Sequence, residues 1–230
     1  MRQTAFGTSG PSEMIEHHLD EEMLLEYAAG TLSEGWSLAV ATHLALCTSC
    51  RATLEIFECV GGYFLDREEA KGDNESDAWV KLRSKIEEGA PDNVLPITRV
   101  GRVDMTYPEP LRSRIAKAGG LKWRRMGGGA AQMILPTSDH TTTVRLLKIA
   151  AGKPVPEHSH AGTELTLVLD GRFSDEISSF GRGDVEMADS DLMHQPQASE
   201  DRDCICLAVT DAPLRFKSRV VRWLQPMLRI

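Results

Sequence analysis

Lysine and arginine are absent from Gln3 to Cys50, a stretch that holds Glu13, Glu16, Asp20, Glu21, Glu22, Glu26 and Glu34. So acidic a surface repels phosphate backbones, which excludes this part of the chain as a nucleic-acid-binding module. It fits a basic protein partner instead, or a simple solvated helix face. Long apolar runs are also missing: none approaches the roughly 20 residues needed to cross a bilayer. The opening MRQTAFGTSGPSEM has no apolar stretch of signal-peptide length. A soluble protein without membrane contact is expected. Cysteine is sparse and odd in number, five in 230 residues. That is a poor framework for extracellular disulfides and a better match to a reducing cytoplasm. The net charge of −8 hides a reversal at the far end. From Ala212 to Ile230 the charged residues are Arg215, Lys217, Arg219, Arg222 and Arg229, with no acid among them; this tail is expected to pack on the acidic half or contact a partner.

What the acidic stretch does contain is ATHLALCTSC, in which His43, Cys47 and Cys50 form H-x3-C-x2-C. On one helix these positions share a face, so an imidazole and two thiols would converge as metal ligands. A tetrahedral site needs a fourth ligand, and His17 and His18 are the nearest histidines upstream. The rival readings are a buried histidine beside two reduced thiols and a Cys47–Cys50 disulfide.

Two halves of the chain carry different periods. From His18 to about Glu88 apolar residues recur at helical spacing and predict four short helices. The first covers about Asp20 to Ala29 and stops at Gly30, and Ser33 caps the second. A third runs through Leu54, Ile56, Phe57 and Val60 until Gly61-Gly62 weakens it, with Cys59 expected in the core. The fourth begins near Ser76, after the polar EEAKGDNESD. Residues 90–115, with Pro91, Pro96, Pro108 and Pro110, read as a linker able to dock locally. Beyond it, Leu121–Met126, Ala131–Leu135, Thr141–Ile149, Thr163–Leu169, Asp184–Met187, Cys204–Val209 and Leu214–Phe216 alternate or run apolar between turn signals. Short strands at this spacing predict a sandwich or barrel. The expected organisation is multidomain α plus β: 1–89 helical and metal-binding, 90–115 linker, 116–230 an antiparallel β-barrel.

Within the β half stands G-x5-H-x-H-x3-E-x6-G, carried by Gly152, His158, His160, Glu164 and Gly171, followed by G-x5-D-x-D-x2-H from Gly183 to His194. Residues i and i+2 share a strand face, so His158 and His160 point together into the barrel and Glu164 returns from the next strand. Three imidazoles and a carboxylate suit a divalent transition metal with an open position. These residues resemble both halves of the cupin signature. The second half departs from it at Asp189-Ser190-Asp191 and at Ala198, which affects the local turn and not the ligands. Cys204 and Cys206 share a strand face and read as core, with an oxidisable pair as the alternative. His140 reads as a surface residue, and Gly127-Gly128-Gly129 as a hairpin turn.

The ordered string HH, YAAGTLSE, VATHLALCTSCRA, QMILPT, HSHAGTELTLVLDGRF and DCICLAVTDAPLRF resembles the ChrR family of zinc-binding anti-sigma factors. That resemblance implies a small four-helix zinc domain followed by a cupin-like barrel. It implies a cytoplasmic regulator that binds an extracytoplasmic-function sigma factor one-to-one, without contacting nucleic acid, and releases it under oxidant stress such as singlet oxygen or peroxides. It assigns one zinc to His18, His43, Cys47 and Cys50; on chemistry alone the adjacent His17 is an alternative to His18. A second metal falls to His158, His160, Glu164 and His194, zinc in the family, with iron or manganese as alternatives. The rival class is a cupin dioxygenase or isomerase with a helical interaction domain.

Overall fold

A computed structural model describes residues 14–68, 75–88 and 106–217. The opening residues, the basic tail from 218 onward and most of the proline-rich stretch lie outside the described residues.

Helix α1 (Glu21–Ala29) starts at Asp20, whose carboxylate accepts from the Met23 amide at 2.7 Å, and stops at Gly30 in the left-handed conformation, φ 70°. Helix α2 (Glu34–Leu44) follows Ser33, but the expected cap is not made by that residue: the Ser33 hydroxyl forms no cap bond. Asp139, from the β half, accepts the Glu34 amide instead at 2.6 Å. Helix α3 (Thr48–Arg67) runs straight through Gly61 and Gly62. Each glycine costs about 1 kcal/mol, but thirteen residues of helix already precede them, and propagation is cheap once the nucleus exists. Helix α4 (Glu75–Glu87) is the last of this half. The end of the expected linker is ordered: Tyr107, Leu111 and Ile115 are buried, the last two on helix α5 (Leu111–Lys117).

Among the described residues the β half holds eleven strands: β1 (Arg124–Gly127), β2 (Ala130–Leu135), β3 (Thr143–Ile149), β4 (His158–His160), β5 (Glu164–Asp170), β6 (Phe173–Ser174), β7 (Ser179–Phe180), β8 (Val185–Ala188), β9 (Gln197–Ala198), β10 (Cys204–Thr210) and β11 (Leu214–Phe216). Seven answer the predicted strands. The very short β6, β7 and β9 carry too few residues to show a period. An antiparallel sheet in the order β1-β2-β3-β10-β5-β8 forms one wall, and the pair β11-β4 and the trio β7-β6-β9 complete the barrel.

Alternation along these strands divides the sheet into two apolar faces. Val144, Leu146, Leu165, Leu167, Leu207 and Val209 share one buried cluster with Leu38, Ala39, Val40 and Leu44 of α2. The opposite face, with Ile149, Val168, Cys204 and Cys206, looks into the barrel and meets Phe173 and Phe180. The helical half therefore lies on the outside of the sheet and shares its core. Gly35 permits the closest approach, because a Cβ there would fall 2.1 Å from the Thr142 hydroxyl and 2.9 Å from a Val144 methyl.

Two candidate metal centres and the contact between them

His18, His43, Cys47 and Cys50 converge, with one ligand atom of each within 4.8 Å of the others. The expected single helix face is not how they meet. His43 lies in the last turn of α2, a turn follows, and Cys47 is the residue that caps α3, its Sγ accepting from the Cys50 amide at 3.4 Å. The helix-turn-helix brings both thiols back onto the imidazole, and His18 arrives from the segment ahead of α1. His18 Nδ1 lies 3.3 Å from Cys47 Sγ and 3.6 Å from Cys50 Sγ, and His43 Nε2 lies 3.2 Å from Cys50 Sγ. Zinc bonds of about 2.3 Å to sulfur and 2.0–2.1 Å to nitrogen give a tetrahedron edge of about 3.5 Å, so the spacing fits. Protons fit as well. His43 Nδ1 donates to the Gly183 carbonyl at 2.9 Å, which leaves the Nε2 lone pair facing the thiols. Burial lowers the His43 pKa to about 4 and raises the Cys50 thiol to about 11. The imidazole is thus neutral and ready to ligate, whereas a cation must displace the thiol proton.

His17, next to His18, points elsewhere. Its Nε2 pairs with the Ser178 hydroxyl at 3.0 Å and its ring packs on Phe180, 4.4 Å between centroids. One member of the HH pair faces the cluster and the other faces the barrel.

In the barrel, His158, His160 and His194 converge, all buried. The paired histidines sit on β4, opposite β11, and His194 bridges back to His158. His158 Nδ1 donates to the Pro156 carbonyl at 2.8 Å. His194 Nδ1 faces two carboxylates, Asp175 at 3.1 Å and Glu186 at 3.2 Å, while its Nε2 lies 3.3 Å from His160 Nε2. Both contacts fix the tautomer that offers Nε2 to a metal, and this matches the donor chemistry of a transition-metal site. Burial holds His158 and His160 near 4. For His194 burial opposes the charge, but Glu186 and Asp175 outweigh it and raise the pKa. Glu164, at the head of β5, stands beside this group: its Oε2 is 3.6 Å from His160 Nδ1, and it is not one of the converging set. Burial raises its pKa.

Asp175 and Glu186 form, with His194, a second acidic grouping that the sequence reading missed. The signal available was Glu186, an acid inside the apolar strand β8; burial pushes it up to about 7. Asp175 is a loop residue, and no spacing rule ties it to His194. Of the remaining expectations, Cys204 and Cys206 are buried with sulfurs 3.6 Å apart on the cavity wall, and His140 is exposed. Cys59 is exposed on α3, not in the core. The apolar stripe that holds it faces outward, while Leu54 and Phe57 pack inward.

The two centres are joined by a short piece of backbone. Gly183 accepts from His43, and Asp184 Oδ1 accepts from the amides of Glu16 and His17 at 2.7 and 2.9 Å. Val185 N–H donates to the His17 carbonyl at 3.2 Å, and the next residue is Glu186, in contact with His194. Gly183 has φ +93°, and a Cβ there would lie 2.5 Å from Ile15 Cδ1. A parallel route runs from His194 through Asp175, which accepts from the Ser178 amide, to the Ser178 hydroxyl on His17.

Residues 112–213 match the family model described as the ChrR cupin-like domain. Across 94% of this chain and 99% of the relative, the sequence is 44% identical to the anti-sigma-E factor ChrR of Cereibacter sphaeroides. The chain belongs to the ChrR family. Among solved structures, it is similar to the crystal structure of Rhodobacter sphaeroides SigE in complex with the anti-sigma ChrR, with a TM-score of 0.75 and 41% identity, covering 86% of this chain and 100% of the matched one. In this ChrR-family chain the helical half and the cupin-like barrel are both present. No helix among the described residues is long and apolar enough to cross a membrane.

Proposed function

We propose that this chain is a cytoplasmic anti-sigma factor whose helical half, residues 1–89, binds one extracytoplasmic-function sigma factor. The barrel, 116–230, senses oxidants, singlet oxygen or peroxides, and 90–115 connects the two. What carries the reading is the outward face of α3 and α4 in a chain so similar to a protein crystallised with SigE. Ile56, Val60, Tyr63 and Phe64 on α3 are 49–63% exposed, as are Trp79, Val80 and Leu82 on α4 at 50–62%. Apolar side chains at i, i+4, i+7 and i+8 on an uncovered helix face mark a protein-docking surface.

His18, His43, Cys47 and Cys50 would hold zinc, which would supply a structural cross-link between the N-terminal segment, the end of α2 and the start of α3. His158, His160 and His194, with Glu164 alongside, would hold a second ion; zinc is the family's metal, and iron or manganese would add redox chemistry of their own. The residues of the chain link the two. A change at the His194 side shifts Asp175 and Glu186, and through Ser178, Asp184 and Gly183 it reaches His17 and His43. Oxidant damage in the barrel thereby loosens the docking unit.

Co-expression with a cognate sigma factor tests this. A one-to-one complex is expected by size-exclusion chromatography with light scattering, with two zinc per chain by elemental analysis. Ile56→Glu with Phe64→Glu, both at exposed positions, should abolish the complex without lowering the melting temperature; an intact complex in that variant contradicts the reading.

A further inference from the structure

The barrel encloses a cavity of about 330 Å³ whose walls are mostly apolar, with Leu147, Ile149, Val155, Phe173, Leu214 and Phe216 among them. Arg145 lines it too. This residue is on β3, between Ala208 of β10 and Ile134 of β2, on the strand face that also presents Leu147 and Ile149 to the interior. It is 5% exposed, and its Nε has no hydrogen-bond partner. Among the described residues its guanidinium makes no hydrogen bond and no ion pair; only the field of Glu164 acts on it. A buried guanidinium without partners is costly, and proteins keep one where something else completes it. Glu164 attracts Arg145 only through space, beyond ion-pair distance: its Oε1 accepts from the Thr166 hydroxyl at 3.0 Å and its Oε2 lies 3.6 Å from His160 Nδ1.

From this we infer that the cavity binds a small apolar carboxylate, with Arg145 as its anchor. The planar fork of a guanidinium matches a carboxylate bidentately, which selects that head group over an alcohol or amine. At the ~30 Å³ that a water-sized group occupies, the cavity has room for about eleven non-hydrogen atoms. An eight-carbon fatty acid is of that size, and the apolar walls suit its tail. Small Ala208, fully buried beside Arg145 on the same face, leaves the head group space. The inference does not depend on sigma-factor binding, and its test reads binding alone.

Full-length, zinc-loaded protein is titrated with sodium octanoate and with octan-1-ol in a calorimeter. Octanoate should bind one-to-one, at least about tenfold tighter than the alcohol. Arg145→Met keeps the apolar stem and should weaken octanoate about 10- to 100-fold while leaving octan-1-ol unchanged. Val155→Trp, which fills the cavity and spares the guanidinium, should weaken both. Should Arg145→Met fail to fold, the Nε–H resonance of Arg145 in the wild-type chain carries the same test: it shifts with octanoate and stays put with octan-1-ol. Absence of saturable octanoate binding, equal binding of the two ligands, or an unmoved Arg145 resonance overturns the inference.

Discussion

The two centres are built on opposite plans. Three of the four groups in the helical half come from eight consecutive residues, and a single distant histidine closes the set. The barrel cluster draws on β4 and on the segment around His194, is flanked by acids on one side, and opens into a cavity on the other. A closed set of sulfur and nitrogen donors is what a structural cross-link needs, while a cluster beside a cavity can be reached by small molecules. The contrast assigns rigidity to one half and access to the other. Gly183 and Asp184 are where the two meet.

The largest way to break this contrast is to open the closed site. Cys50→Ser removes a donor from the candidate zinc site, and a structural zinc in a unit of this size would be worth on the order of 10 kcal/mol. The expected result is loss of one zinc, loss of helical circular dichroism and loss of sigma-factor binding, with the barrel still folded. The equivalent loss of barrel metal should leave the helices and the complex intact.

Second in size is the junction. Gly183→Val combines a left-handed backbone with a clash on Ile15 and should cost about 1–3 kcal/mol. Both candidate metal sites should still fill, but the melting temperature should fall and segment 15–18 should exchange amide protons faster. An unaltered exchange pattern there would mean that the junction carries no load.

Parts of this arrangement were legible in the sequence and parts were not. H-x3-C-x2-C and the paired histidines could be read because their ligands lie close in sequence; a strand period fixes the geometry of the histidines, whereas the thiols meet His43 through the turn between α2 and α3 and not along one helix face. His18 needed family resemblance to be chosen over His17, since adjacent residues differ only in the direction each faces. The junction was invisible: Asp184 and Glu16 lie 168 positions apart, and no local pattern encodes that meeting. Arg145 and Glu186 were visible only as charges inside apolar strands. Cys59 misled because an apolar stripe reads the same whether it faces a core or a partner.

The smallest expected effect is at the start of α2, the end of that helix away from His43. Glu34 pairs with Arg114 and accepts from the Ser138 amide and hydroxyl, each at 2.6 Å. The Ser138 bonds, with Arg114, hold its carboxyl near 2 against an ordinary 4.5. With the folded value depressed, the stabilisation is present above about pH 4.5 and is lost as pH falls toward 2. The group is partly exposed, so Glu34→Gln should cost under about 1 kcal/mol at pH 7. Melting curves of the two proteins should converge as pH falls to about 2; a gap that persists there would place the effect elsewhere.

The central claim is that the barrel cluster governs release of the partner without contributing to its capture. The direct measurement is sigma-factor release from the purified complex on exposure to singlet oxygen, for the wild-type chain and for His158→Ala with His160→Ala. The account predicts equal complex formation before exposure and release only from the wild type. Equal release from both, or failure of the variant to form the complex, would contradict it.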